Sequence, residues 1–157
     1  MGINLGSGFG NLTGNTNNSA PACGILNLNK NDILDLTKRN PGLKRVMLGA
    51  GWDISNNGSD FDLDRLPAQC EKIIFALNIY DAVSRKQTFS KIKNAYIRIL
   101  NEDKGNKEIC RYNLSEDGGD NTALLFAELQ RVDGSWQFKA KGELLQATVK
   151  SLADMYK

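Results

Sequence analysis

The chain has 157 residues, 41% of them hydrophobic and 24% charged, which suits one globular domain with a real core and leaves little room for two. Its 20 Lys and Arg against 18 Asp and Glu leave a net charge of +2. The basic residues are dispersed, so neither nucleic acid nor an anionic membrane is indicated as a partner. Histidine is absent, which removes the commonest general base, the Ser-His and Cys-His nucleophile pairs and most transition-metal sites. Hard oxygen ligands remain, and these suit calcium or magnesium.

The three cysteines, Cys23, Cys70 and Cys110, are far apart and form no CxxC pair, so buried free thiols are expected rather than a zinc site or disulfides. No run approaches the roughly 18 apolar residues of a membrane span. The N-terminus lacks the basic and apolar regions of a signal peptide, and "MGINLG" lacks the Ser or Thr of a myristoylation signal. The expectation is a cytoplasmic protein.

In chain order, residues 1–23 are rich in Gly, Asn, Ser and Thr and read as a flexible leader, with the domain spanning 24–157. "ILNLN" and "DILDLT" alternate apolar and polar residues as half-buried strands do. "NPG" at 40–42 is a turn. "LKRVMLGAGWD" places Val46, Leu48 and Ala50 on one face of a third strand, with Gly49 and Gly51 allowing close approach or a bulge. "CEKIIFALNIYDA" is apolar on both faces and reads as a central, largely buried strand. "AYIRIL" and "EICRYNL" are further strands around the turn "NEDKGNK". "TALLFAELQRV" fits either a short helix or a strand, and "DG" at 133–134 turns it back through "SWQFKAKG". In the tail, Leu145, Val149, Leu152 and Tyr156 fall on one stripe of an amphipathic helix. The expected architecture is mainly β, an antiparallel β-sandwich with a C-terminal amphipathic helix packed on it.

Between the third strand and the apolar one lies "GSDFDLDRLPAQCEKIIF" (58–75), with aspartates at alternate positions: Asp60, Asp62 and Asp64. In a strand they share one face, about 7 Å between neighbours. They form either a cation site or a solvated acidic edge that discourages aggregation, with Arg65 and Lys72 as counter-charges. An EF-hand register from Asp60 fails, because the position that needs glycine is Arg65 and Pro67 follows two residues on. A second acidic cluster, "LSEDGGDN" (114–121), reads as a turn. Trp52 and Trp136 read as core, and "SRKQ" (84–87) as a solvated basic turn.

Several stretches taken together resemble the TerD family of tellurium-resistance and stress-response proteins: "DLTKRNPGLKRVMLGAGWD" (35–53), "DFDLD" (60–64), "LPAQCEKIIFALNIYDAVSRKQTFSKIKNAYIRIL" (66–100), "RYNLSEDGGDNTALLFAELQR" (111–131) and "GSWQFKAKG" (134–142). The resemblance implies a cytoplasmic, non-enzymatic β-sandwich that binds calcium through acidic loops and serves resistance to tellurite, phage and other stress. Carried over residue by residue, it implies Asp60 and Asp62 as metal ligands, then Asp81, with Asp64 at the seam and Asp53 orienting a loop. One departure stands out. The family continues after "DFDLD" with two further strands and acidic loops of the form GDN and GDDE, whereas this chain passes straight to "RLPA". Calcium prefers about six to eight oxygens, so losing those loops predicts weak or lost binding. The implied partners are other proteins of a stress-resistance system. The alternative is an interaction module that has lost its metal site and dimerises or pairs with a companion chain through uncovered edges.

Overall fold

The computed structural model describes residues 24–157 apart from 53, 54 and 115, and only the backbone of 52 and 55–57. The expected leader, Cys23, Asp53 and the Trp52 side chain therefore lie outside the described residues.

Among the described residues nine strands form two stacked sheets, the β-sandwich expected from the sequence. In chain order they are β1 (Leu26–Leu28), β2 (Ile33–Asp35), β3 (Arg45–Trp52), β4 (Ser55–Asp62), β5 (Lys72–Asn78), β6 (Tyr96–Asn101), β7 (Lys107–Asn113), β8 (Ala123–Val132) and β9 (Ser135–Leu145). One sheet has the order β1-β7-β6-β3-β4 and the other β2-β9-β8-β5. Every pairing is antiparallel except β1 with β7. Among the described residues three short α-helices, α1 (Leu36–Arg39), α2 (Ala82–Arg85) and α3 (Val149–Asp154), and two 3-10 turns at Phe89–Lys91 and Glu102–Lys104 join or follow the strands. None is long and apolar enough to cross a membrane among the described residues.

The alternating pattern of β3 places Val46, Leu48 and Ala50 inward, where they meet Ile97 and Ile99 of β6, Leu124 and Phe126 of β8, and Phe138 of β9. The stretch that fitted helix or strand is strand β8. Its first seven residues are all buried because both faces are covered. Leu124 and Phe126 face the other sheet, whereas Ala123 and Leu125 lie beneath Leu152 of α3. The Asp133–Gly134 turn has positive φ at both residues, as a tight hairpin requires.

Two expectations need correction. β5 is not central: among the described residues it pairs with β8 alone and forms the edge of its sheet. It is apolar on both faces because Ile73, Phe75 and Leu77 pack on the main core while Ile74 packs with Leu125 and Leu152. Apolarity on two faces reports layers above and below a strand, not neighbours on both sides. The tail stripe is also shorter than expected. Leu145 still pairs with Ala123 in the sheet, and Thr148 and Ser151 form a reciprocal capping box that starts the helix at Val149. Of the four stripe residues only Leu152 is buried in the helix, and Val149 is 67% exposed.

Candidate functional site

The acidic residues singled out in the sequence fall at two ends of the sandwich. At the first end, β4 runs antiparallel to β3 with Phe61 opposite Val46, Asp60 opposite Met47 and Asp62 opposite Arg45. Because Val46 and Phe61 face the core, Asp60 and Asp62 project from the outer face of the sheet. Asp64 lies beyond the strand in the turn that follows, so two of the three aspartates share a face.

Their local partners come from the chain itself. Asp62 Oδ1 accepts the backbone N–H groups of Asp64 (3.2 Å) and Arg65 (3.3 Å), while its Oδ2 lies 3.7 Å from Arg65 Nε. This carboxylate closes the turn at the end of β4. Asp64 sits 4.0 Å from Lys44 Nζ, and Asp60 is exposed. Arg65 is thus a counter-charge as expected, whereas Lys72 is not. It pairs with the buried Glu128 at 3.8 Å, alongside Lys141 at 3.6 Å. Arg45 is likewise engaged elsewhere. The backbone N–H groups of Arg45 and Lys44 donate to Asp103 Oδ2 at 2.9 and 2.8 Å, which holds that carboxyl below its ordinary range.

Asp81 follows the far end of β5, and the seven-residue strand between it and the first end spans about 20 Å. It takes a left-handed conformation, φ 49° and ψ 42°, and its carbonyl accepts Arg85 N–H as α2 begins. Asp81 and Asp120 both line a cleft of about 820 Å³ that also takes in Asn78, Lys86, Thr122 and the chain entering α3. Tyr80 (81% exposed), Val83 and Val149 form an apolar rim. In the second acidic cluster, Asp117 accepts Gly119 N–H at 2.9 Å, Asn121 donates to the Gly118 carbonyl, and Glu116 pairs with Lys30 at 2.7 Å. These bonds build the expected turn. The cleft itself had no signal in the spacing of charges; the clue was Tyr80 and Val83, large apolar residues just beyond the end of β5.

Among the described residues no three Asp, Glu, His or Cys side chains converge as metal ligands would. Cys110 is buried, and burial pushes its thiol up to about 12. Trp136 is core, as expected, with the Arg131 guanidinium stacked 4.7 Å from its ring. A feature the sequence reading missed is the ladder on the outer face of β6 and β7. There Glu108 accepts from Arg111 (2.8 Å) and Arg98 (3.3 Å), and Arg111 lies 4.5 Å over the Tyr96 ring.

Against known families, the TerD domain model matches residues 25–66 and again 60–156. The chain belongs to the TerD family. General stress protein 16U of Bacillus subtilis is 31% identical over 83% of this chain and 96% of its own length. Tellurium resistance protein TerD of Serratia marcescens is 29% identical with the same coverage. Chemical-damaging agent resistance protein B of Clostridium acetobutylicum is 36% identical over 58% of this chain and 65% of its own. The two matched segments overlap at 60–66, so "DFDLDRL" serves as the end of one and the start of the other. The first alignment runs to 187 positions although only 83% of this 157-residue chain enters it, so several dozen residues of that relative have no counterpart here. In this fold the join is the connection from β4 to β5.

Proposed function

We propose that this TerD-family chain acts in resistance to tellurium compounds and general stress as a non-enzymatic cytoplasmic protein, with calcium bound weakly and other proteins of the same stress system as partners. The family membership carries the reading of resistance. The absence of histidine and the scattering of the carboxylates support a role other than catalysis. Calcium, where held, takes its oxygens from one end of the sandwich at a time: Asp60, with Asp62 and Asp64 beside it, or Asp81 with Asp120 and the loop carbonyls around them. Asp53, which the resemblance implies orients a loop, lies outside the described residues and is not counted in either set. Either set falls short of the six to eight oxygens of a tight site.

A second reading, that the metal site has gone and the sandwich works only through protein contacts, draws on one observation. The carboxylate of Asp62 is already engaged by its own turn and Asp64 lies beside Lys44.

Thermal unfolding of the EDTA-treated chain, with and without millimolar calcium and with magnesium as control, separates the two. Binding to the folded state at a hundred times Kd would add about 2.7 kcal/mol, and a weak site adds a fraction of it. A calcium-selective rise lost in Asp81→Asn but kept in Asp60→Asn assigns the cleft end, and the reverse assigns the β4 end. No rise in the unmutated chain selects the second reading. Survival on tellurite of a sensitive bacterium expressing the chain tests the resistance reading itself, and unchanged survival refutes it.

A further inference from the structure

The join from β4 to β5 leaves two strand edges side by side, and they differ in character. β4, "SNNGSDFD", is polar, with Asp60 and Asp62 near its end, the kind of edge that resists pairing. β5, "KIIFALN", has no proline and no charge after Lys72, and it joins four large apolar residues to one exposed Ala76. The one irregularity in its pairing lies in its neighbour. Phe75 faces Ala127 and Ala76 faces Leu125, so Phe126 is the extra residue and β5 runs unbroken from 72 to 78. Beside it the sandwich gapes. Ser59, opposite Leu48, is too small to fill its inward position, and a cleft of about 230 Å³ opens there. Leu48, Ile97 and Phe126 lie along it, and Phe75 and Leu77 of β5 form its wall. Phe61 and Phe75, ring centroids 5.5 Å apart, make an edge-on contact between the sheets at this side.

We infer that the edge of β5 left unpaired among the described residues docks a second copy of this chain, β5 against β5 in antiparallel pairing, to give one continuous eight-stranded sheet. The register supports a copy rather than another protein. A two-fold axis at Phe75 sets Lys72 opposite Asn78, Ile73 opposite Leu77 and Ile74 opposite Ala76, so the apolar layers continue on both faces and no like charges meet. It also follows the join at which the two family matches overlap, in a chain several dozen residues shorter than its alignment with the 16U relative. The inference names the partner and surface within the reading of the previous subsection and rests on it only for the family alignment.

The test is the mass of the purified full-length chain by sedimentation equilibrium at micromolar concentration, without calcium or tellurite. Twice the 17.3 kDa chain mass is expected. Ala76→Lys, whose side chain starts from an exposed position, is expected to keep its fold by circular dichroism and weaken the dimer by at least about tenfold. Hydrogen exchange of the unmutated chain gives a readout independent of that variant: β5 amides not bonded to β8 should gain protection as concentration rises. A monomer at every concentration, a larger assembly, a dimer untouched by folded Ala76→Lys, or concentration-independent β5 exchange overturns the pairing. In the first case the edge is left to a strand of another protein. A dimer that gives no tellurite protection refutes the resistance reading and leaves the pairing standing.

Discussion

Gly142 shows how tightly the two sheets close where β9 faces β7. Its φ of +62° lies in the left-handed region, and a Cβ there would run into Tyr112 Oη and come within 2.9 Å of the ring carbon bearing it. Tyr112 cannot retreat, because it is 1% exposed and stacked edge-on against Phe126 at 5.9 Å. Its hydroxyl has no hydrogen-bond partner among the described residues, and burial pushes its pKa up. Gly142→Ala combines left-handed strain of about 1 kcal/mol with overpacking of 1–3 kcal/mol, so a loss of about 3 kcal/mol is expected in urea unfolding. Tyr112→Phe removes the atom nearest the clash together with an unpaired polar group, and is expected to cost little or to stabilise. In the double variant, Gly142→Ala should cost clearly less than alone. An equal cost in both backgrounds would place the penalty in the backbone and not in the contact with Tyr112.

At the scale of elements, the strands were legible where one face is wet and the other dry. β3, β6 and β7 alternate for that reason, and the Asp133–Gly134 turn announces its own geometry. β5 and β8 were harder. Both are apolar on two faces, yet β8 is central and β5 is an edge; the difference lies in which strands pair, and no single strand's sequence contains that. The tail misled for a related reason. Leu145, Val149, Leu152 and Tyr156 keep helical spacing across a strand end and a helix start, but the pairing of Leu145 and the capping box at Thr148 decide where the period changes. The aspartates were legible as a group by alternation. What alternation could not show is that β4 ends at Asp62, so that Asp64 turns away, or that Asp81 lies a strand's length off. Those facts follow from the β4–β5 connection, the join at which the two family matches overlap.

For the whole molecule, the native partners of a few ionisable groups set the pH range of stability. Glu108 is held below its ordinary 4.5 first by its bond from Arg111, and Asp103 and Asp154 below 3.8 by bonds from Arg45 and Lys44 backbone and from Lys157 and Lys150. A carboxyl with a lowered folded pKa takes up its proton more readily when unfolded. Its contribution is therefore complete above the ordinary value and drains away as pH falls through the lowered one. Cys110 bounds the other side. Burial raises its thiol from 9.0 to about 12, so only the unfolded chain ionises between those values and stability falls as pH climbs through them. The melting temperature should thus be flat from about pH 5 to 9 and decline on both sides. Glu108→Gln should start lower at neutral pH, because it weakens the bridge between Arg98 and Arg111, and then decline less steeply in acid. Cys110→Ala should lose stability at neutral pH from the space it leaves, yet flatten the alkaline limb. Melting curves across the range for the three proteins decide it. An acid limb as steep in Glu108→Gln as in the parent would assign acid unfolding to other carboxylates. An unchanged alkaline limb in Cys110→Ala would move that edge to Tyr112, whose hydroxyl is buried in the same core.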